Sequence, residues 1–198
     1  NAIGMAVDEL GSYVGRNIGA LIYDFAGGQG KSVMDSNRQL VESKRWQFIF
    51  IASGEESLKE KILRNGEVLK TGMSVRIAEI PIEQMDRYPG KDLSKEESRK
   101  LVDDVKHACS QQYGTLGPAF IQAIIDFYSD IDQAKMDIAE RIDDEKKRLA
   151  IPEMSNEVGR VINRFALLQA SGKMAAESEL IDISDAEIEY AIKTALNA

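Results

Sequence analysis

The run WQFIFIAS, residues 46–53, is the strongest strand signal in the chain, because aromatic and β-branched residues fill most of it. A second apolar run, IGMAVDEL at 3–10, predicts another buried strand, and it ends in two acids. Segments with helical spacing follow these runs, at 17–26 and 54–66, and the alternating segment 73–82 predicts a third strand. Strands that alternate with helices indicate an α/β layer with a parallel sheet.

The character of the sequence changes after Pro89-Gly90, where helical patterns replace strands. Each predicted helix begins at a polar cap or a proline, and their ranges are 94–113, 118–150, 155–172 and 184–198. We therefore predict two domains: an α/β domain over residues 3–90 and an all-helical domain over residues 91–198.

Composition excludes several classes of protein and site. With 43% hydrophobic and 29% charged residues, the 198-residue chain can bury a core. Cys109 is the only cysteine, which rules out an internal disulfide or a cysteine-based zinc site, and His107 is the only histidine available to a catalytic triad. No run approaches about 18 apolar residues and no signal peptide is visible, so we expect a cytoplasmic protein that does not enter a membrane.

The stretch DFAGGQGKS, residues 24–32, suggests a phosphate-binding loop but does not fit one. Such a loop needs G-x-x-x-x-G-K-[ST] between a strand and a helix, and Phe25 stands where the first glycine is required. A predicted helix precedes the stretch, and polar residues follow it. We therefore expect residues 27–45 to form a loop or an irregular hairpin, with Gly27-Gly28 ending the helix.

Polar residues follow two of the predicted strands: Asp8 and Glu9 after the first, and Ser53 and Glu55 after the second. If these strands are parallel neighbours, their tips lie about 5 Å apart, at the edge where α/β proteins bind ligands. Paired acids at such an edge can hold Mg²⁺ and orient an attacking water. Strand-to-helix turns also use these residue types as helix caps, so both interpretations stay open.

Three arginines are candidates for contact with phosphate. Arg76 lies inside the strand-like segment 73–82, where a charge needs a partner or an edge position. Arg160 and Arg164 are four residues apart, on one face of a predicted helix. Arginine provides forked, permanently charged donors that suit phosphate, although pairing with nearby acids is the simpler alternative.

Several motifs resemble, in order, a bacterial family described as superfamily II helicase-like or primase-helicase-like, the domain of unknown function nine-twenty-seven. The chain carries the family's landmarks as DEL at 8–10, GQGK at 28–31, W followed by SGE within 46–55, and TGMSVRIAEIP at 71–81. YGTLGPAF and RVINRFALLQASGKMA resemble the family's helical tail, so the similarity covers most of the chain. Met73 departs from the pattern, because the family tends to have a polar residue there. The family occurs in phage, plasmids and genomic islands.

The resemblance implies the C-terminal part of a P-loop ATPase core of the AAA+ kind, followed by an all-α lid. The family's phosphate loop precedes the Asp-Glu strand, and this chain starts abruptly inside an apolar run, so we expect a fragment that does not hydrolyse ATP by itself. By resemblance Asp8 holds Mg²⁺ and Glu9 is the catalytic glutamate. Ser53 matches a sensor of the γ-phosphate, and Glu55 at the same strand tip is a further catalytic candidate.

The roles of the basic residues are implied by the resemblance alone. Arg76 would be an arginine finger that acts on a neighbouring subunit, and Arg160 or Arg164 would be a nucleotide sensor on the lid. Lys31 and Arg38 would be basic residues of a glycine-rich hairpin that contacts the nucleic-acid backbone.

The parent protein would hydrolyse ATP with Mg²⁺, as a homo-oligomeric ring, to move or open nucleic acid, with DNA as the expected polymer. The loop at 27–31 would contact that polymer, or would be only a flexible surface loop. The alternative function is a degenerate ATPase-like adaptor, without enzymatic activity, in the replication of mobile elements.

Overall fold

The computed structural model of the chain describes residues 4–10, 17–30, 32–37, 39–82 and 92–197. These residues are mostly helical, with eight helices, one two-stranded parallel sheet and one two-stranded antiparallel sheet. The chain divides into two compact units, Asn1–Glu79 and Ile80–Ala198. The predicted domain boundary near residue 90 lies within 83–91, outside the described residues.

The first unit contains the strands and three helices. Its elements are β1 (Gly4–Val7), α1 (Ile18–Gly27), β2 (Val33–Met34), β3 (Leu40–Val41), β4 (Ile49–Ala52), α2 (Leu58–Arg64) and α3 (Thr71–Ser74). Strand β1 pairs in parallel with β4, from Gly4 beside Ile49 to Val7 beside Ala52. The predicted parallel pairing of these two runs is therefore confirmed, although β4 is shorter than the predicted 46–53.

The core of the first unit lies between its helices. Ile18 and Ile22 of α1 pack with Ile62 of α2 and Met73 of α3, and all four are buried. Asn17 caps the start of α1 by accepting from the Ala20 amide at 3.1 Å. This helix therefore holds α2 and α3 together as one small layer.

The segment 73–82 is not the strand that its alternation predicts. Residues 71–74 form the short helix α3, and 77–81 have no regular secondary structure. Met73 and Val75 are both buried, which produces the alternating pattern, but Met73 fills the core beneath α1. Packing against helices, not pairing with a sheet, therefore explains the spacing.

The described residues within 28–46 form an irregular hairpin, which is one of the two predictions for 27–45. Strands β2 and β3 are antiparallel, and closer to α1 the Gly30 amide donates to Lys44 O and the Trp46 amide to Gly28 O. Gly28 ends α1 with a φ of 67°, the left-handed conformation that glycine adopts without strain. Among Gly27, Gly28 and Gly30, Gly28 alone has a positive φ.

The second unit is entirely helical in its described part. It comprises α4 (Lys95–Gln111), α5 (Leu116–Phe127), α6 (Ile131–Leu149), α7 (Asn156–Glu177) and α8 (Asp185–Asn197). The predicted polar caps are present, with Ser94 bonded to Glu97 and Ser184 to Glu187. The capping residues therefore set these helix starts as the sequence indicates.

The prediction of one long helix over 118–150 is wrong. Two helices, α5 and α6, occupy this range, and Pro118 lies in the first turn of α5 as expected. The break occurs because Asp130 caps a new helix, and its carboxylate accepts from the amides of Asp132 and Gln133.

Helices α6, α7 and α8 pack together, and Leu149, Ile162, Phe165 and Ala166 form their apolar core. Helices α4 and α5 contribute no buried residue. The second unit is therefore a three-helix core preceded by two helices that have no fully buried residue.

Candidate functional site

The tips of β1 and β4 meet through the side chain of Ser53. Its hydroxyl donates to Asp8 Oδ1 at 2.6 Å and accepts from the Glu9 amide at 3.0 Å. The backbone continues the ladder, because the Ser53 amide donates to Val7 O and the Leu10 amide to Ser53 O. The strand-tip residues Asp8, Glu9 and Ser53 are thus brought together as the sequence predicts.

Glu9 adopts an unusual backbone conformation at this edge. Its φ is 55°, in the left-handed region that residues other than glycine seldom occupy. Such conformations cost on the order of 1–3 kcal/mol and are concentrated at active sites and ligand clamps. The hydrogen bond from the Glu9 amide to Ser53 holds the turn in this conformation.

An open cleft adjoins these polar residues. It measures about 280 Å³, and its lining residues are Val7, Asp8, Glu9, Leu10, Leu21, Phe25 and Phe50. The rings of Phe25 and Phe50 lie 5.4 Å apart and form an apolar wall between α1 and the sheet. At about 280 Å³ this cleft lies just below the range of about 300–1,000 Å³ that is usual for ligand pockets.

The strand tips do not form a metal site of their own. Over the part of the chain that the structure describes, no group of three or more histidine, cysteine or acidic residues could hold a metal ion. Mg²⁺, however, needs only one or two carboxylates, because waters and substrate phosphates complete its coordination. Asp8 fits this role, since its carboxylate is exposed at the strand tip and is oriented by the hydrogen bond from Ser53 to Oδ1. Glu55 is exposed in the turn between β4 and α2.

Arg76 packs within the first unit. Its guanidinium donates to Gly72 O and lies 4.5 Å from the centre of the Tyr23 ring. It lies in the turn after α3 and not inside a strand, so the prediction of its backbone setting is wrong. Local partners satisfy this charge and explain its partial burial.

Arg160 and Arg164 lie on α7 in the second unit, and both are exposed. Hydrogen bonds to its own backbone amide and to Ser155, with a smaller effect of the Arg160 charge, hold the pKa of Glu157 below its ordinary value. Lys31 and Arg38, the predicted nucleic-acid contacts, fall outside the described residues.

Sequence reasoning missed the apolar wall and one helix cap. Leu21 and Phe25 are four residues apart on α1, and that spacing could have placed them on one face. Glu67 accepts from the amides of Ile18 and Gly19, both at 3.2 Å, and so caps α1 from another part of the chain. No local sequence pattern indicates that Glu67 caps α1, because the two are far apart along the chain.

Comparison of the chain with protein-family models, with curated proteins and with solved structures found no match. The family resemblance therefore stays a prediction. Across the described residues, no helix is both long enough and apolar enough to cross a membrane.

Proposed function

We propose that the tips of β1 and β4 form the magnesium-facing side of a nucleotide site in a P-loop-type ATPase. The chain would be the C-terminal part of an ATP-dependent, helicase-like protein of mobile elements, and sequence outside these 198 residues would supply the phosphate loop. The observation that carries the proposal is the hydrogen bond from Ser53 to Asp8, at 2.6 Å, across the tips of two parallel strands.

Each strand-tip residue has a distinct task in this proposal. Asp8 would hold Mg²⁺, and the hydrogen bond from Ser53 would keep its carboxylate oriented. Glu9 would accept a proton from the attacking water or orient that water. The Mg²⁺ would neutralise charge on the β- and γ-phosphates of bound ATP.

The open face of the sheet supports a core that is completed by other elements. Ile51 of β4 is 67% exposed and Ile49 is 53% exposed. Parallel sheets are normally covered on both faces, because their crossover helices lie there. Further strands and helices against β1 and β4 would bury these side chains, as a full ATPase core requires.

The remaining roles rest on the resemblance. Nucleic acid, with DNA as the expected polymer, would contact the hairpin that carries Lys31 and Arg38. Arg76 would act as a finger on a neighbouring subunit of a ring, and Arg160 or Arg164 would be a nucleotide sensor on the helical lid. Of these, Arg76 would have to leave Tyr23 and Gly72 before it could reach a neighbouring subunit.

One observation favours the alternative, a non-enzymatic adaptor. Helices α4 and α5 expose apolar side chains that include Val105, Ile121 and Ile125, as a module built for assembly would do. On this alternative the strand-tip acids would only cap the turn after β1.

ATP turnover by the full-length protein tests the proposal against the adaptor. We expect Mg²⁺-dependent hydrolysis, and Asp8→Asn should lower its rate at least 100-fold while preserving the acceptor for Ser53. Asp24→Asn, which removes the same charge from an exposed position on α1, is the matched control and should leave the rate within about twofold. Absence of turnover in the full-length protein, or equal rates for both variants, would refute the proposed function.

A further inference from the structure

Helix α4 is strongly amphipathic, yet none of its residues is buried. Its apolar side chains recur at spacings of three and four residues: Leu101, Val102, Val105, Ala108 and Cys109. At 100° per residue these positions fall on one face of the helix, within about 60° of Val105. We call this face the α4 stripe. Val102 is 49% exposed and Val105 is 52% exposed.

Charges of opposite sign flank the α4 stripe. Glu97 and Asp104 lie on one side of it, whereas Lys95, Arg99 and Lys106 lie on the other. The Glu97 carboxylate is already bonded to the amide and the hydroxyl of Ser94. Asp104 is therefore the acidic residue best placed to bind another chain.

This arrangement of charge is complementary to itself in only one orientation. When two copies of a helix pair in parallel, the left flank of each meets the right flank of the other. The acidic flank would then face the basic flank, with Asp104 beside Lys106 of the second copy. Antiparallel pairing brings like flanks together, so Asp104 would face an acidic flank and Lys106 a basic one, which is repulsive.

We propose that the α4 stripe is a self-association surface, on which a second copy of this chain docks with its α4 parallel to the first. The two stripes become buried against each other, and two symmetric Asp104–Lys106 pairs set the orientation. A two-fold contact of this kind is closed, unlike the head-to-tail contacts of a ring. It is independent of the proposed nucleotide site.

The size of the surface sets the expected strength. A helix of 17 residues is about 25 Å long, and two such stripes bury less than the roughly 800 Å² per partner of a standard interface. Exposed apolar residues of α5, among them Leu116 and Ile121, would add to the contact. We therefore expect a dissociation constant in the micromolar range or above.

Cys109 reports the orientation directly, because it is exposed and is the only cysteine. In a parallel pair, equivalent residues of the stripe face each other, and the two sulfurs can form a disulfide. In an antiparallel pair centred on the middle of α4, the two cysteines would be separated by about 18 Å along the axis. Mild oxidation followed by non-reducing electrophoresis should therefore yield a covalent dimer, and Cys109→Ser should abolish it.

Sedimentation of the chain over a range of concentrations measures the association itself. We expect Asp104→Lys to weaken the dimer about tenfold, and the double variant Asp104→Lys with Lys106→Asp to restore it. Asp103→Lys changes the net charge equally but lies on the opposite face of α4, so it is the matched control and should not weaken the dimer. Val105→Asp should leave the chain monomeric, and circular dichroism would verify that each variant keeps its helices.

Several results would overturn the proposal. A chain that stays monomeric to about millimolar concentration, or one that binds only other proteins, would exclude self-association through α4. A stronger dimer with Asp104→Lys, without a Cys109 crosslink, would indicate antiparallel pairing. Equal effects of Asp103→Lys and Asp104→Lys would indicate that net charge, and not the α4 stripe, controls the association.

Discussion

A buried charge network between α6, α7 and α8 gives the sharpest prediction about stability. Glu145 is 6% exposed and accepts hydrogen bonds from Lys173 at 2.9 Å, from Arg148 at 3.0 Å and from the Gln169 side chain. Lys173 is 7% exposed and also donates to Glu189 at 2.6 Å. This one ammonium therefore joins all three helices.

Lys173→Met should destabilise the helical unit by about 3 kcal/mol. Removing one partner of a buried pair typically costs about 3–5 kcal/mol, because the other charge stays buried without compensation. We expect the lower end of that range, since Arg148 still binds Glu145, although the arginine side chain is 60% exposed and so compensates weakly. Adding Glu145→Gln removes the stranded charge and should bring the total cost down to about 1 kcal/mol.

Urea unfolding followed by circular dichroism at 222 nm measures these differences. Lys193→Met is the matched control, because Lys193 is 60% exposed and lies 3.9 Å from Glu189, and it should cost less than about 0.5 kcal/mol. A cost below about 1 kcal/mol for Lys173→Met, or a double variant less stable than the single one, would refute a stabilising role of this network.

The same network predicts a dependence on pH. The hydrogen bond from Lys173, followed by its charge, holds the pKa of Glu189 below its ordinary value. A lowered carboxyl pKa contributes stability that is present above the ordinary pKa and is lost as the pH falls through the lowered one. Burial by itself would lower the pKa of Lys173, but the hydrogen bonds of Lys173 to Glu189 and Glu145 outweigh burial and raise that pKa. The stability that the charged Lys173 contributes is therefore lost only in strong base. In Lys173→Met, the free energy of unfolding should therefore fall less steeply as the pH is lowered.

Other changes test single contacts. Glu179 has a φ of 56° just after α7, where its amide and that of the next residue bond back to the helix, so Glu179→Gly should stabilise the chain by about 0.5–1 kcal/mol in thermal unfolding. Gly66 has a φ of 75° after α2, and Gly66→Ala should cost about 1 kcal/mol in the same assay. Ser53→Ala should cost about 1 kcal/mol in urea unfolding followed by Trp46 fluorescence, because the bonds of Ser53 at the strand tips are lost. In the full-length protein, Lys31→Ala should weaken nucleic-acid binding at low salt and leave ATP binding intact; loss of ATP binding would revive the phosphate-loop interpretation.

Local signals in the sequence predicted much of the fold. Serine caps placed the starts of α4 and α8, and Gly28 placed the end of α1, because caps act through bonds between residues close in sequence. The alternation of apolar residues in 73–82 led to the wrong prediction of a strand. The spacing of buried residues does not distinguish a strand from a turn that packs beneath a helix.

The candidate site was predictable where it follows from topology. Parallel pairing of β1 with β4 was enough to bring Asp8 and Ser53 together. The left-handed φ of Glu9 and the contact of Arg76 with Tyr23 depend on tertiary packing, for which the sequence has no periodic signal. The meeting of polar side chains at this edge of the sheet could thus be predicted from the sequence, whereas the partner of an individual arginine could not.

Glu9→Gln in the full-length protein is the sharpest test of the proposed role of Asp8 and Glu9 in ATP hydrolysis. Binding of a fluorescent ATP analogue with Mg²⁺ and ATP turnover should be measured on the same sample. We predict binding within about threefold of the unchanged protein and turnover reduced at least 100-fold, because the side chain that orients the attacking water is lost while Asp8 still holds Mg²⁺. Turnover that survives Glu9→Gln, or a full-length protein that binds no ATP, would contradict the account.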